Sequence, residues 1–250
     1  MKLRRLFMLG TVPLLAVTVV LGTAGCTAWR IKHAVELARQ SEPFEVSPTG
    51  ASVTLLVVGD STAVGTGASA PAQSVAGLIA RDHPYLKVVN RARDGARFED
   101  IARQLSGLAG QRFDAILVLG GGNDVIRMTP PAPLEQNITR VVALARAQAE
   151  LVVLMPSGNV GSAPFFFPPW SWLMTQRSKA LHSLVGEITG ANQALYVNLY
   201  KEKSDDPFAQ RPEELNSKDG LHPSDAGYLI WYAELNRQAD FATRLAALRP

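Results

Sequence analysis

Val53-Thr54-Leu55-Leu56-Val57-Val58 runs straight into Gly59-Asp60-Ser61-Thr62-Ala63. The six residues, apolar but for Thr54, are too few for a buried helix and rich in β-branched side chains. They read as a strand covered on both faces, ending in a tight turn that carries a serine. Outward from this stretch the pattern repeats. Apolar runs recur at 86–89, 114–119, 151–155 and 194–198, and helix-length segments lie at 71–82, 97–109, 134–149, 174–189 and from 223 to about 248. In 134–149, Leu134, Ile138, Val141, Val142 and Ala145 share one side at the helical period, with Glu135, Arg140 and Arg146 largely off it. Five strands interleaved with five helices predict an α/β fold, a doubly wound five-stranded parallel sheet in a three-layer α/β/α arrangement.

In such sheets ligands bind outside the carboxyl ends of the strands, so the loops after the apolar runs hold the candidate site. These loops are 59–63, Asn90-Arg91-Ala92-Arg93-Asp94-Gly95, Gly120-Gly121-Gly122-Asn123-Asp124 and Pro156-Ser157-Gly158-Asn159. Asp219-Gly220-Leu221-His222-Pro223 follows the fifth run by some twenty residues. The residue types suit attack by a hydroxyl on an acyl carbonyl. Ser61 is the candidate nucleophile, His222 its proton acceptor, and Asp219 the group that holds the imidazole in the right tautomer. The Ser61 N–H, a Gly95 N–H and the Asn123 amide would receive the oxyanion. Each loop alone also reads as an ordinary turn or helix cap. What favours chemistry is their convergence on one sheet edge in one consistent set of roles. His33, His83 and His182 have no such neighbours.

Residues 163–174, Ala-Pro-Phe-Phe-Phe-Pro-Pro-Trp-Ser-Trp-Leu-Met, form an aromatic loop after the fourth strand. Phe165, Phe166 and Trp170, with Asp60, are the residues expected to touch substrate. The charged stretch 200–218 reads as a solvated loop.

The amino terminus stands apart from the fold. Lys2, Arg4 and Arg5 precede an uncharged run from Leu6 to Trp29, which reads as an export signal or membrane anchor over residues 1–26. Thr23-Ala24-Gly25-Cys26 is compatible either with cleavage and lipidation at Cys26 or with an uncleaved anchor. Residues 27–50 read as a stalk, helical at first, and 51–250 as one folded domain. At 250 residues, 47% hydrophobic and 19% charged, the chain can bury a full core. Its net charge of +3 arises at that terminus: three of the 25 Lys and Arg lie at positions 2, 4 and 5, and the remaining 22 face 22 Asp and Glu. Nucleic acid is therefore not an expected partner. One cysteine excludes an internal disulfide, no His-Glu-x-x-His occurs, and neither a metal nor an organic cofactor is expected. A Gly-x-Ser-x-Gly elbow and a Gly-Lys-Ser/Thr phosphate loop are also missing from the sequence.

Over residues 52 to about 245 the chain resembles the SGNH/GDSL hydrolases. Their four blocks correspond to Ser61 in Gly59-Asp60-Ser61, Gly95 after Asn90, Asn123 in Gly121-Gly122-Asn123-Asp124, and His222 in Asp219-Gly220-Leu221-His222. Thr62 stands where leucine is common, and Gly95 has charged neighbours in Arg93, Asp94 and Arg97. The resemblance implies a flavodoxin-like fold and metal-free hydrolysis of esters or thioesters. The expectation is an exported, membrane-anchored serine esterase acting on acyl-lipid or short-chain esters. Removal of acetyl groups from envelope polysaccharide is the alternative, and a non-catalytic carbohydrate- or lipid-binding module is the alternative from another class.

Overall fold

The computed structural model describes residues 29–249; the stretch read as an export signal or anchor, with Cys26, lies outside them. Five parallel strands, β1 (Val53–Gly59), β2 (Leu86–Asn90), β3 (Ala115–Gly120), β4 (Leu151–Pro156) and β5 (Leu195–Tyr196), form one sheet in the order β2-β1-β3-β4-β5. Side chains alternate across it with period two. Val53, Leu55, Val57, Leu117, Leu119, Val153 and Met155 enter one apolar cluster, while Leu56, Val58, Ile116, Val118, Val152 and Leu154 enter the other. Helices cover both faces, which is why the central strands β3 and β4 are buried along their whole length, whereas the outer strand β2 exposes Lys87.

α1 spans residues 29–40. α2 (Ser61–Val64) follows β1, and a 3-10 turn at Pro71–Gln73 leads into α3 (Val75–Asp82), which Ser74 caps. α4 is Phe98–Ser106, α5 Gly122–Ile126, α6 Pro131–Gln148 and α7 Trp170–Ala191. Two short helices, α8 (Pro207–Gln210) and α9 (Pro212–Leu215), precede α10 (Asp225–Ala239) and α11 (Phe241–Ala247). The helix expected from 223 to 248 is thus two, broken at Asp240, whose φ of 47° and ψ of 41° are left-handed. β5 is shorter than the expected 194–198, pairing with β4 at only two positions on the sheet's edge.

The segment read as a stalk is packed on the body over its described part. Val46 pairs antiparallel with Val88 of β2, and Phe44 and Val46 rest on the core. The Glu45 carboxylate accepts from the Asn90 N–H at 3.0 Å and pairs with Arg91.

The chain reverses its direction of winding between β1 and β3, the switch point at which ligands bind in sheets of this order. Gly59 closes β1 there. Its φ of +151° and the Leu119 carbonyl, which would lie 1.8 Å from any Cβ, leave no room for a side chain. The Asp60 N–H instead donates to that carbonyl at 3.0 Å.

His182, on α7, is buried and linked to β4 and β5. Its Nε2–H donates to the Ser157 carbonyl (2.8 Å), and its Nδ1 accepts from the Tyr196 hydroxyl (2.6 Å). Burial pushes its pKa down from 6.5 to about 4, against the raising effect of the Ser157 bond. Between those values the unfolded chain binds a proton that the folded chain does not. Stability present above pH 6.5 is therefore lost as pH falls through the window, by about 2 kcal/mol at pH 5 for this one group. The Asp60 carboxyl, raised to about 6 by burial, acts in the opposite sense. A comparison with His182→Gln isolates the histidine: from pH 7 to 5 the variant should lose about 2 kcal/mol less unfolding free energy than the parent. Equal losses in urea titrations at the two pH values would contradict this role.

Candidate active site

Ser61 is the first residue of α2. Asp60 caps that helix, its Oδ1 accepting from the Thr62 N–H (2.9 Å) and the Thr62 hydroxyl (2.7 Å). The cap orients the turn so that the Ser61 hydroxyl points at the imidazole: Oγ lies 2.9 Å from His222 Nε2. On the far side of the ring, His222 Nδ1 lies 2.6 Å from Asp219 Oδ2. A carboxylate only accepts, so Nδ1 carries the proton and Nε2 presents its lone pair to the serine.

Asp219 is itself held on every side. Its Oδ1 accepts from the Ser217 hydroxyl (2.7 Å), the Leu221 N–H (2.9 Å) and the His222 N–H (3.1 Å). Burial raises its pKa, but the hydrogen bond and charge of His222, followed by the Ser217 and Leu221 bonds, outweigh it and bring it to about 2. It is an anion at neutral pH. Asp219 is fully buried, and Ser61 and His222 are each 8% exposed, so the three groups interact at low dielectric.

Gly95 and Asn123 reach the same cavity. Gly95 sits in a turn closed by the Ala96 N–H donating to the Arg93 carbonyl (3.2 Å), and Asp94 ties this loop to the end of α2 by accepting from the Thr66 hydroxyl (2.7 Å). Asn123 lies on α5, which is fixed to α4 because the neighbouring Asp124 carboxylate accepts from the Phe98 N–H (2.9 Å). The backbone N–H groups of Ser61 and Gly95 have no backbone acceptor among the described residues. Two free N–H groups and a side-chain amide beside a serine can stabilise a negative oxygen.

Three expectations need correction. Asp60 borders the cavity, but it is 1% exposed and its carboxylate serves as the α2 cap, so it is a positioning residue. Phe165, Phe166 and Trp170 do not line the cavity. The two phenylalanine rings pack edge to face at 5.0 Å, Phe166 rests on one of the two core clusters, and Trp170 is 55% exposed. Finally, 200–218 is not merely a solvated loop: α8 and α9 fold it back, so that Asp206, Phe208 and Asn216 line the cavity.

Other contributors carried no sequence signal. Gly67, with φ +98°, would place a Cβ 2.5 Å from the Pro223 carbonyl and 2.9 Å from the His222 Cβ, so only glycine lets α2's exit pass behind the histidine. Ser217 looked like one polar residue among many. The remaining histidines stay outside the cavity, His83 beside the Tyr85 hydroxyl and His33 against the Trp29 ring. Among the described residues no group of three or more His, Cys, Asp or Glu is placed to hold a metal ion.

Comparison with known proteins places this geometry. The model of the GDSL-like lipase/acylhydrolase family matches residues 57–230, more than half of the chain. Esterase TesA of Pseudomonas aeruginosa is 36% identical over 109 residues, which are 42% of this chain and 54%, about half, of that relative's length. Among solved structures, that of TesA superposes with a TM-score of 0.57 at 23% identity, covering 76% of this chain and 99% of the other. LAE5, an alpha/beta hydrolase enzyme from the metagenome of Lake Arreo, gives 0.60 at 19% identity over 80% and 98%. A catalytic mutant of an acetylxylan esterase from Geobacillus stearothermophilus gives 0.55 at 22% identity over 77% and 96%. At these identities the structures speak to the fold alone, whereas the family model spans the motifs themselves, and the chain belongs to the GDSL-like lipase/acylhydrolase family, the SGNH hydrolases.

Proposed function

We propose that this protein is a serine hydrolase that cleaves carboxylic esters through an acyl-Ser61 intermediate. One observation carries the reading: Ser61 Oγ, His222 and Asp219 form a continuous chain of 2.9 and 2.6 Å hydrogen bonds at the switch point of the sheet. His222 Nε2 takes the Ser61 proton as Oγ bonds to the ester carbonyl carbon. The carbonyl oxygen becomes an anion received by the Ser61 and Gly95 N–H groups and the Asn123 amide. As the C–O bond to the alcohol breaks, the imidazolium returns its proton to the leaving oxygen. Water then attacks the acyl-serine by the same route in reverse, releasing acid and restoring Ser61. Asp219, already an anion, stabilises the imidazolium without taking its proton. The esterase name of the Pseudomonas relative supports ester over other acyl bonds.

We also propose that the protein is exported and held at a membrane by its first residues. The support is the basic start and the uncharged run from Leu6 to Trp29; among the described residues no helix is long and apolar enough to cross a membrane. The test is hydrolysis of p-nitrophenyl esters by the full chain, assayed in the membrane and soluble fractions of expressing cells, with Ser61→Ala as control. Activity that resists the substitution overturns the mechanism, and activity confined to the soluble fraction overturns the anchoring.

The oxyanion role of Asn123 has its own expected result. Asn123→Ala should lower kcat by about 10²-fold or more with a much smaller change in KM, because the lost donor acts mainly on the charged intermediate. A proportionate rise in KM at constant kcat would assign Asn123 to substrate binding instead.

A further inference from the structure

The cavity that holds Ser61 extends beyond the residues of the family match. That match begins at residue 57, yet Ala34, Val35, Ala38 and Arg39 of α1 line the same cavity as Ser61 and His222. The spacing explains how: 34/38 and 35/39 are two i, i+4 pairs on neighbouring stripes of one helix side. Ala34 and Ala38 are small, so the helix borders the space without filling it. α1 is also fastened in place. Arg30 donates to the Pro164 carbonyl, its guanidinium stands 4.6 Å over the Phe167 ring, and the chain after the helix pairs with β2 through Val46. Ile126, Val160 and Leu221 supply further apolar lining, and the cavity has a volume of about 510 Å³.

We propose that α1 is one wall of an acyl-chain site that opens onto Ser61, and that Ala34 and Ala38 set the length of chain it accepts. The occupant is an unbranched acyl group longer than acetyl. A space of this size is typical of pockets that enclose a whole small ligand, and an acetyl group would leave most of it to water against apolar walls. Each methylene transferred from water onto such walls favours productive binding by up to about fourfold. The inference rests on the ester-hydrolase reading and names the substrate class for it.

The test uses the full chain, with kcat/KM for p-nitrophenyl acetate, butyrate and octanoate and, separately, the Kd of decanoate by calorimetry. The parent should prefer octanoate over acetate. Ala38→Trp should lower the octanoate-to-acetate ratio of kcat/KM at least tenfold and weaken decanoate binding at least tenfold. Ala38→Leu, a smaller intrusion that keeps a helix-forming residue, should do both to a lesser degree. Glu36→Trp, at an exposed position of the same helix outside the cavity lining, should alter neither. The inference is overturned by an acetate preference in the parent, the pattern expected for a polysaccharide deacetylase, or by ratios and Kd values that stay within twofold in both position-38 variants. The two readings fail separately. Decanoate binding that depends on position 38 without ester turnover keeps the wall and removes the esterase. Ser61-dependent turnover indifferent to chain length does the reverse.

Discussion

Ser61→Ala is expected to lower kcat/KM for p-nitrophenyl butyrate by about 10⁴-fold or more while leaving the melting temperature close to that of the parent. In the mechanism proposed above, the substitution removes the atom that forms the acyl intermediate, so the remaining rate would come from the oxyanion donors and substrate binding alone. Structurally it is mild. The Asp60 cap acts through Thr62 and is untouched, alanine is a good helix former, and the lost hydroxyl's bond is the one to His222. The contrast between a large kinetic effect and a small thermal one is the informative readout. A parent and an alanine variant of equal activity would dismiss Ser61 as nucleophile, and equal losses of activity and of fold would make its role structural.

Asp219→Asn should cost about 10⁴-fold in kcat, for a different physical reason. An asparagine keeps one oxygen, which can go on accepting from Ser217, Leu221 and the His222 N–H, so the turn survives. Its amide nitrogen then faces His222 Nδ1 as a donor. Nδ1 must accept, the ring proton moves to Nε2, and a donor rather than a lone pair meets Ser61. Asp219→Ala is a harsher change, because it strands two backbone N–H groups and a hydroxyl beside a fully buried position. Asparagine is thus the variant that separates tautomer control from scaffolding. Its signature is low kcat with near-parental thermal stability, and a variant of parental kcat would remove Asp219 from the mechanism.

The sheet and the convergence of the site were legible because both follow from one repeated signal. Leu55–Val58, Ala115–Leu119 and Leu151–Met155 are apolar without interruption only because helices cover both sheet faces, and strand order alone then collects the loops holding Ser61, Gly95 and Asn123 at one edge. Elements too short to show a period were not legible: α2, α5, α8 and α9 have four or five residues each, about one helical turn. Phe165, Phe166 and Trp170 misled for another reason. Aromatic content says that a surface is apolar, not which neighbour it meets, and here a core cluster and solvent take those rings while the cavity is walled by α1. That helix looked like spacer because Lys32, Glu36 and Arg39 break its apolar content into pieces, and the alanines that face the cavity are residues any helix carries. Asp206 and Asn216 were hidden in a charged stretch whose folding back depends on two proline-started turns.

The same arrangement has a mechanical meaning for whatever precedes Trp29. Arg30 is clamped to Pro164 and Phe167 in the loop before α7 and Val46 is stitched to the sheet margin, so the described residues contain no slack leash between α1 and the catalytic body. Whatever is attached upstream therefore meets the body by way of α1, the same helix whose Ala34 and Ala38 border the opening above Ser61.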